Sequence, residues 1–219
     1  MEKVIKQEPL HMQVYNILKS QILRAKYPPG SKIIESQLAK KFDVSRGTVR
    51  EAIRMLTQDG LLIQNKGVTT LFNPSNKDII DISVCRESLE LLAIQLSIKN
   101  ISDEEIKKLE HTVEISEKLQ KDEKYDDIGK YDEEFHRIIV ESTRNNQLIQ
   151  LMNVIRSKVI YMMSFIVHEN LYLPPLQHHK DILEALKRRD EEEAIRAMKV
   201  HLNYSLETLL GNLGRVDEY

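Results

Sequence analysis

The chain has 219 residues, a formal net charge of −2, one cysteine and no tryptophan. The length allows one large domain or two small ones, and the lone Cys85 excludes a disulfide framework and any CxxC redox or zinc motif. No apolar run opens the chain and none reaches the roughly 18 residues of a membrane span, so a cytoplasmic, mostly helical protein with no membrane partner is expected.

A helical period carries Val14, Ile17, Leu18 and Ile22 on one face of a first helix over 10–27, which Pro28-Pro29-Gly30 ends. A short helix follows over 36–42, with Leu38 and Ala39 inward. Ser45 has the chemistry of an N-cap for a third helix over 45–59, closed by Gly60. Two short strands, 61–64 and 68–72, flank Asn65-Lys66-Gly67 and read as a hairpin. Three helices and a β-hairpin in this order are the plan of a winged helix-turn-helix.

Asn73-Pro74-Ser75-Asn76 is the candidate linker, which divides the chain into 1–73 and 74–219. The remainder reads as six helices over 77–99, 103–121, 125–143, 146–170, 175–189 and 191–212. Ser102 with Glu105 makes a capping box, and Asp190 with Glu193 is a similar start signal. The expected fold is mainly α, a winged helix-turn-helix joined to an all-α six-helix bundle. Charge follows this division: residues 1–75 hold 12 Lys and Arg against 6 Asp and Glu, whereas the rest of the chain is acidic. A basic module that binds a polyanion, joined to an acidic one, accounts for the difference.

On the third helix Val49, Ala52, Ile53 and Leu56 share one face, and Arg46 and Arg50 share another. A helix in the major groove offers its N-terminal residues to base edges, and arginine grips guanine with two hydrogen bonds. Gly47 permits close approach, and Ser45 and Thr48 can reach phosphates beside the helix amides. Lys66 and Gly67 stand at the wing tip, next to a minor groove in such a complex. The alternative for the arginines is a pair of solvated helix charges.

The stretch 29–72 resembles the GntR family of bacterial transcription regulators through PPGSKIIESQLAKKFDVSRGTVREAIRMLTQDGLL and the NKG that follows. The resemblance implies that Ser45, Arg46, Gly47, Thr48, Arg50, Lys66 and Gly67 lie at double-stranded operator DNA. Gly47 replaces a usual Thr or Pro. Ser36 stands where some members carry a DNA-contacting arginine, which leaves the operator sequence open.

In the acidic half, Asp132 and His136 are four residues apart on one helix, with His179 and His201 on two others. Three imidazoles and a carboxylate from three helices can converge in a bundle and hold a divalent transition metal. The plain alternative is a set of hydrogen-bonded interior histidines. Residues 77–210 resemble the FCD ligand-binding domain of the FadR subfamily, through RESLE at 86–90, D-x-x-FH at 132–136, H-x-x-IL-x-A at 179–185 and M-x-x-HL at 198–202. The resemblance implies Asp132, His136, His179 and His201 as ligands, with His178 as a competitor one residue out of register, and three imidazoles with a carboxylate suit zinc, nickel or manganese. It also implies that Arg86 clamps a small carboxylate effector, against the alternative of an ion pair with Glu90.

The expected function is a cytoplasmic, homodimeric transcription regulator, a repressor relieved by an organic acid bound at the metal site. A metal-dependent hydrolase using the His/Asp site, or a regulator with a purely structural metal, is the alternative.

Overall fold

The structure is a computed structural model that describes residues 8–124, 127–166 and 175–216. Nine helices and one two-stranded sheet lie among the described residues. The helices, in chain order, are α1 (Leu10–Leu23), α2 (Glu35–Phe42), α3 (Arg46–Gln58), α4 (Asn76–Asn100), α5 (Asp103–Lys121), α6 (Ile128–Ser142), α7 (Asn146–Ile166), α8 (Leu176–Lys187) and α9 (Glu191–Val216). The strands β1 (Leu62–Asn65) and β2 (Val68–Leu71) lie between α3 and α4. This is a winged helix-turn-helix followed by a six-helix array. The chain forms two compact units: Met1–Pro74 with Ser157–Phe165, and Ser75–Arg156 with Ile166–Tyr219.

In the first unit α3 packs on α1, α2 and β1. Its inner face, Val49, Ala52, Ile53 and Leu56, is buried against Val14, Leu18 and Ile22 of α1's own inner face. Full burial of each large aliphatic side chain contributes about 1.5–3 kcal/mol, enough to fix the orientation of α3. Asp59, just beyond α3, accepts hydrogen bonds from Tyr15 Oη at 2.6 Å and Lys19 Nζ at 2.8 Å, which fastens the end of the helix to α1. The first helix ends at Leu23, short of the expected residue 27, because Ala25 takes a positive φ of 52° that no α-helix admits.

The hairpin pairs Leu62 with Leu71 and Asn65 with Val68, leaving Lys66 and Gly67 as a two-residue loop. Both loop residues have positive φ, 47° and 79°, as the tight turn matched to strand twist requires. Lys32 adds an isolated bridge to Thr70, which ties the segment before α2 to the edge of β2 that β1 leaves free.

In the second unit α4 packs on α6 and α9, α5 on α6 and α8, and α8 on α9. Phe135, Ile139, Ile182, Leu186, Ala194 and Met198 lie in their shared core. Capping boxes start α4 (Ser75 with Asp78) and α5 (Ser102 with Glu105). Asp190 caps α9 by accepting from the Glu193 amide at 3.0 Å. α6 is described from Ile128, and α9 runs on to Val216, past the expected residue 212. Residues 125, 126 and 167–170 of the expected helices lie outside the described residues.

Candidate functional site

The first site is the outer face of α3. Ser45 caps the helix: its hydroxyl accepts from the Thr48 amide at 3.1 Å and lies 2.9 Å from the Thr48 hydroxyl. Because Val49, Ala52, Ile53 and Leu56 fill the inner face, Arg46, Gly47 and Arg50 are exposed. Arg46 has no partner among the described residues, whereas Arg50 is paired with Glu35 of α2. A side chain at Gly47 would meet only Ser45 Oγ, at an ordinary 3.6 Å. The fold therefore does not demand glycine there, and the open face is free for a partner. Lys66 and Gly67 are exposed at the hairpin tip.

The second site lies inside the second unit. Asp132 and His136 project from one face of α6 because four residues nearly complete a helical turn. His179 comes from α8 and His201 from α9, each on a face shared with buried aliphatic residues. One donor atom from each of Asp132, His136, His179 and His201 can be chosen so that all lie within 4.8 Å of one another. His136 Nε2 is 3.0 Å from His201 Nε2, and His179 Nε2 is 3.3 Å from Asp132 Oδ1. The Phe135 ring stacks on His179, centroids 4.4 Å apart, and holds that imidazole in plane.

The donor set fits a divalent ion. Ligand bonds of about 2.1 Å put adjacent donors about 3.0–3.4 Å apart in octahedral or tetrahedral geometry, a range that includes the His136–His201 and His179–Asp132 spacings of 3.0 and 3.3 Å. Asp132 Oδ1 and His179 Nε2 are buried and, although 3.3 Å apart, make no well-aligned hydrogen bond to each other or to any other described residue. Orphaned buried polar atoms are costly, and an ion supplies what the protein does not. Protonation suits ligation as well. Burial pushes the Asp132 carboxyl up, but the imidazoles of His179, His136 and His201 outweigh it and hold the carboxyl well below the usual range. Burial lowers His179 and, further, His201, against the opposing pull of the Asp132 carboxylate, and so favours the neutral imidazole that binds metal.

Arg86 of α4 stands at the edge of this cluster. Its Nη2 is 3.4 Å from His136 Nε2, its Nη1 donates to Ser205 Oγ at 3.1 Å, and its Nε is 3.5 Å from Glu90 Oε1. The two readings of Arg86 are thus not exclusive, since the guanidinium pairs with Glu90 and also faces the metal-type donors. Glu90 is the ion-pair partner that the sequence offered for Arg86, and Ser205 is an addition that no motif marks. Glu90 Oε1 is 3.1 Å from His136 Nδ1, on the far side of that ring from Nε2. Burial raises the Glu90 carboxyl, and His136 with Arg86 more than reverses this, so it is lowered. His178 is half-buried, outside the cluster, edge-on to His201 and Tyr204 at centroid distances of 6.2 and 5.7 Å.

These features define a DNA-binding transcription regulator with a winged-helix head and an all-α second module. The description "Bacterial regulatory proteins, gntR family" matches residues 10–72, and "FCD domain" matches residues 81–204. The HTH-type transcriptional regulator YdhC of Bacillus subtilis is 32% identical, over 94% of both chains. The HTH-type transcriptional repressor RspR of Escherichia coli K12 is 26% identical, over 89% of this chain and 86% of its own. Among solved structures, E. coli McbR/YncC superposes with a TM-score of 0.80 at 21% identity, covering 94% of this chain and 99% of that one. A GntR regulator from Rhodococcus sp. RHA1 gives 0.75 at 24% identity, over 92% and 97%. This chain belongs to the GntR family of transcription regulators and carries an FCD domain. These relatives are transcription regulators, which sets aside the hydrolase alternative, and no described helix is long and apolar enough to cross a membrane.

Proposed function

We propose that this chain is a cytoplasmic, homodimeric repressor whose operator affinity is controlled by a small carboxylate bound at a divalent metal site in the second unit. The convergence of Asp132, His136, His179 and His201 beside the Arg86 guanidinium carries this reading. A bound zinc, nickel or manganese ion would supply Lewis-acidic positions for a carboxylate oxygen. Arg86 then offers charge-assisted hydrogen bonds to the same anion, oriented by Ser205 and Glu90. Control of DNA binding requires that the carboxylate bind two arrangements of the protein with different affinity.

At the operator, Arg46 and Arg50 read base edges, Ser45, Gly47 and Thr48 approach the backbone, and Lys66 with Gly67 follows the minor groove. A dimer suits a two-fold operator. Its support here is an exposed apolar stripe on α4, where Ile80 is 44%, Val84 59% and Leu92 40% accessible at spacings of four and eight residues. Such a stripe on a regular helix is the usual mark of a protein interface.

Elemental analysis and native mass spectrometry of the purified protein test the metal, the dimer and any co-purified acid together. Band shifts on duplexes selected from a random library, with a panel of mono-, di- and tricarboxylates, then test control. Release of DNA by one carboxylate, lost in Arg86→Gln, is the expected result. Full-length protein that is monomeric, metal-free after growth in zinc-replete medium, and indifferent to every acid defeats the reading.

A further inference from the structure

The three arginines of α3 are held in three different ways. Arg46 has no partner among the described residues. Arg54 pairs with Glu51 of its own helix, an exposed (i, i+3) contact at 3.0 Å. Arg50 alone is gripped from another element. Its Nε donates to Glu35 Oε1 at 3.4 Å and its Nη2 to Glu35 Oε2 at 3.1 Å. Glu35 is the first residue of α2, so both ends of this contact stand on packed helices.

A guanidinium has two edges that can make paired hydrogen bonds. Glu35 occupies the side edge, formed by Nε and Nη2. The end edge, formed by Nη1 and the second hydrogen of Nη2, stays open, and the Arg50 side chain remains 68% accessible. Guanine presents O6 and N7 as the acceptor pair that such an edge matches. An exposed ion pair of this kind adds little to stability. Its effect is on the arginine's freedom: a long side chain that would sample many rotamers is restrained before DNA arrives.

We infer that Glu35 is a positioning residue for sequence recognition, which buttresses Arg50 so that its end edge meets one guanine in each half-site. The inference rests on α3 being the recognition helix. Glu35 also places a negative charge near the phosphates, which opposes sequence-independent binding. It therefore raises discrimination while lowering non-specific affinity, and the two effects have opposite signs in a mutant.

The test uses the full-length protein. Duplexes are selected by the wild type from a random library, and dissociation constants are measured on the best duplex and on its single-base variants. Wild-type protein should lose about 10-fold in affinity when the guanine read by Arg50 is replaced, the usual scale of one paired contact. Arg50→Ala erases that preference. Glu35→Ala should reduce it to roughly 2-fold, with discrimination elsewhere intact and binding to unrelated duplex tightened. Glu35→Gln, whose carbonyl oxygen still accepts one hydrogen bond, should retain part of the preference. Adding Glu35→Ala to Arg50→Ala should remove nothing more at that position. Thermal melting of each variant confirms a folded head.

Three results overturn the inference. Glu35→Ala binds every duplex more tightly by one factor, leaving the preferences untouched. Alternatively, Glu35→Ala abolishes a preference that Arg50→Ala does not affect, so Glu35 reads a base itself. Finally, no position is sensitive to Arg50→Ala. If Arg46→Ala and Arg50→Ala both leave binding unchanged, the recognition helix itself has been misassigned.

Discussion

Glu90 and His136 meet inside the second unit, Oε1 to Nδ1 at 3.1 Å, with side chains only 1% and 4% accessible. The two residues come from α4 and α6, so the contact ties the ring's outward nitrogen to one helix while Nε2 faces His201 on another. A carboxylate behind a ligating imidazole sets the tautomer and raises the basicity of the nitrogen that binds metal. Glu90→Ala is expected to weaken metal affinity about 10- to 100-fold. Competition between Co²⁺ and a chromophoric chelator measures it, and equal affinity in both proteins would contradict the role given to Glu90.

Metal binding should also appear as stability. An ion present at about 1,000 times its dissociation constant stabilises the folded chain by about 4 kcal/mol, an increase in Tm of roughly 10 °C. Chelation should reverse that increase in the wild type. His201→Ala removes one of the four proposed ligands and should show little increase at all. Differential scanning calorimetry with and without added zinc reads both, and identical increases would exclude His201 from the site.

Arg86 and Glu90 form a nearly buried pair, 11% and 1% accessible. Arg86→Met leaves the Glu90 carboxylate with the imidazole alone and should cost about 3 kcal/mol. The double change Arg86→Met with Glu90→Leu removes both charges and should recover part of that loss. Urea denaturation of the four proteins in a double-mutant cycle gives the coupling. Additive losses would show that the pair is not energetically linked.

Acid should act on α5 through Glu105. Burial raises its carboxyl, but the Ser102 amide and hydroxyl and the Arg144 guanidinium at 2.9 Å more than offset this, so it is lowered. The folded state therefore favours the ionised form. Its stabilisation is complete above the ordinary glutamate value of about 4.3 and fades as pH falls through the lower folded value. Glu105→Gln should be about 1 kcal/mol less stable near neutral pH, and the gap should close as pH falls below the carboxyl's lowered folded value. Denaturation at several pH values measures the gap; a constant difference would rule out this linkage.

Much of this protein is local in origin. Apolar residues every three or four positions define α1, α3 and the bundle helices, and tertiary packing then reinforces them. Ser45 and Ser102 cap their helices through backbone groups three residues away, so short range suffices. The spacing of Asp132 and His136 already put two candidate ligands on one helical face. Pairing of β1 with β2 follows from a two-residue loop in which Lys66 and Gly67 both take positive φ.

Helix ends and partner choice were not legible in the same way. The end of α1 at Leu23 depends on the positive φ at Ala25, where no glycine or proline marks the change. The meeting of Glu90 with His136 joins residues 46 apart, and that of Arg86 with Ser205 joins residues 119 apart. The grip of Glu35 on Arg50 joins two helices across a turn. Side-chain type and spacing determined the elements, their order and the kinds of donor available. Only packing decided which donors meet, because a hydrogen bond or ion pair across helices depends on interhelical distance and rotation, which no local pattern specifies.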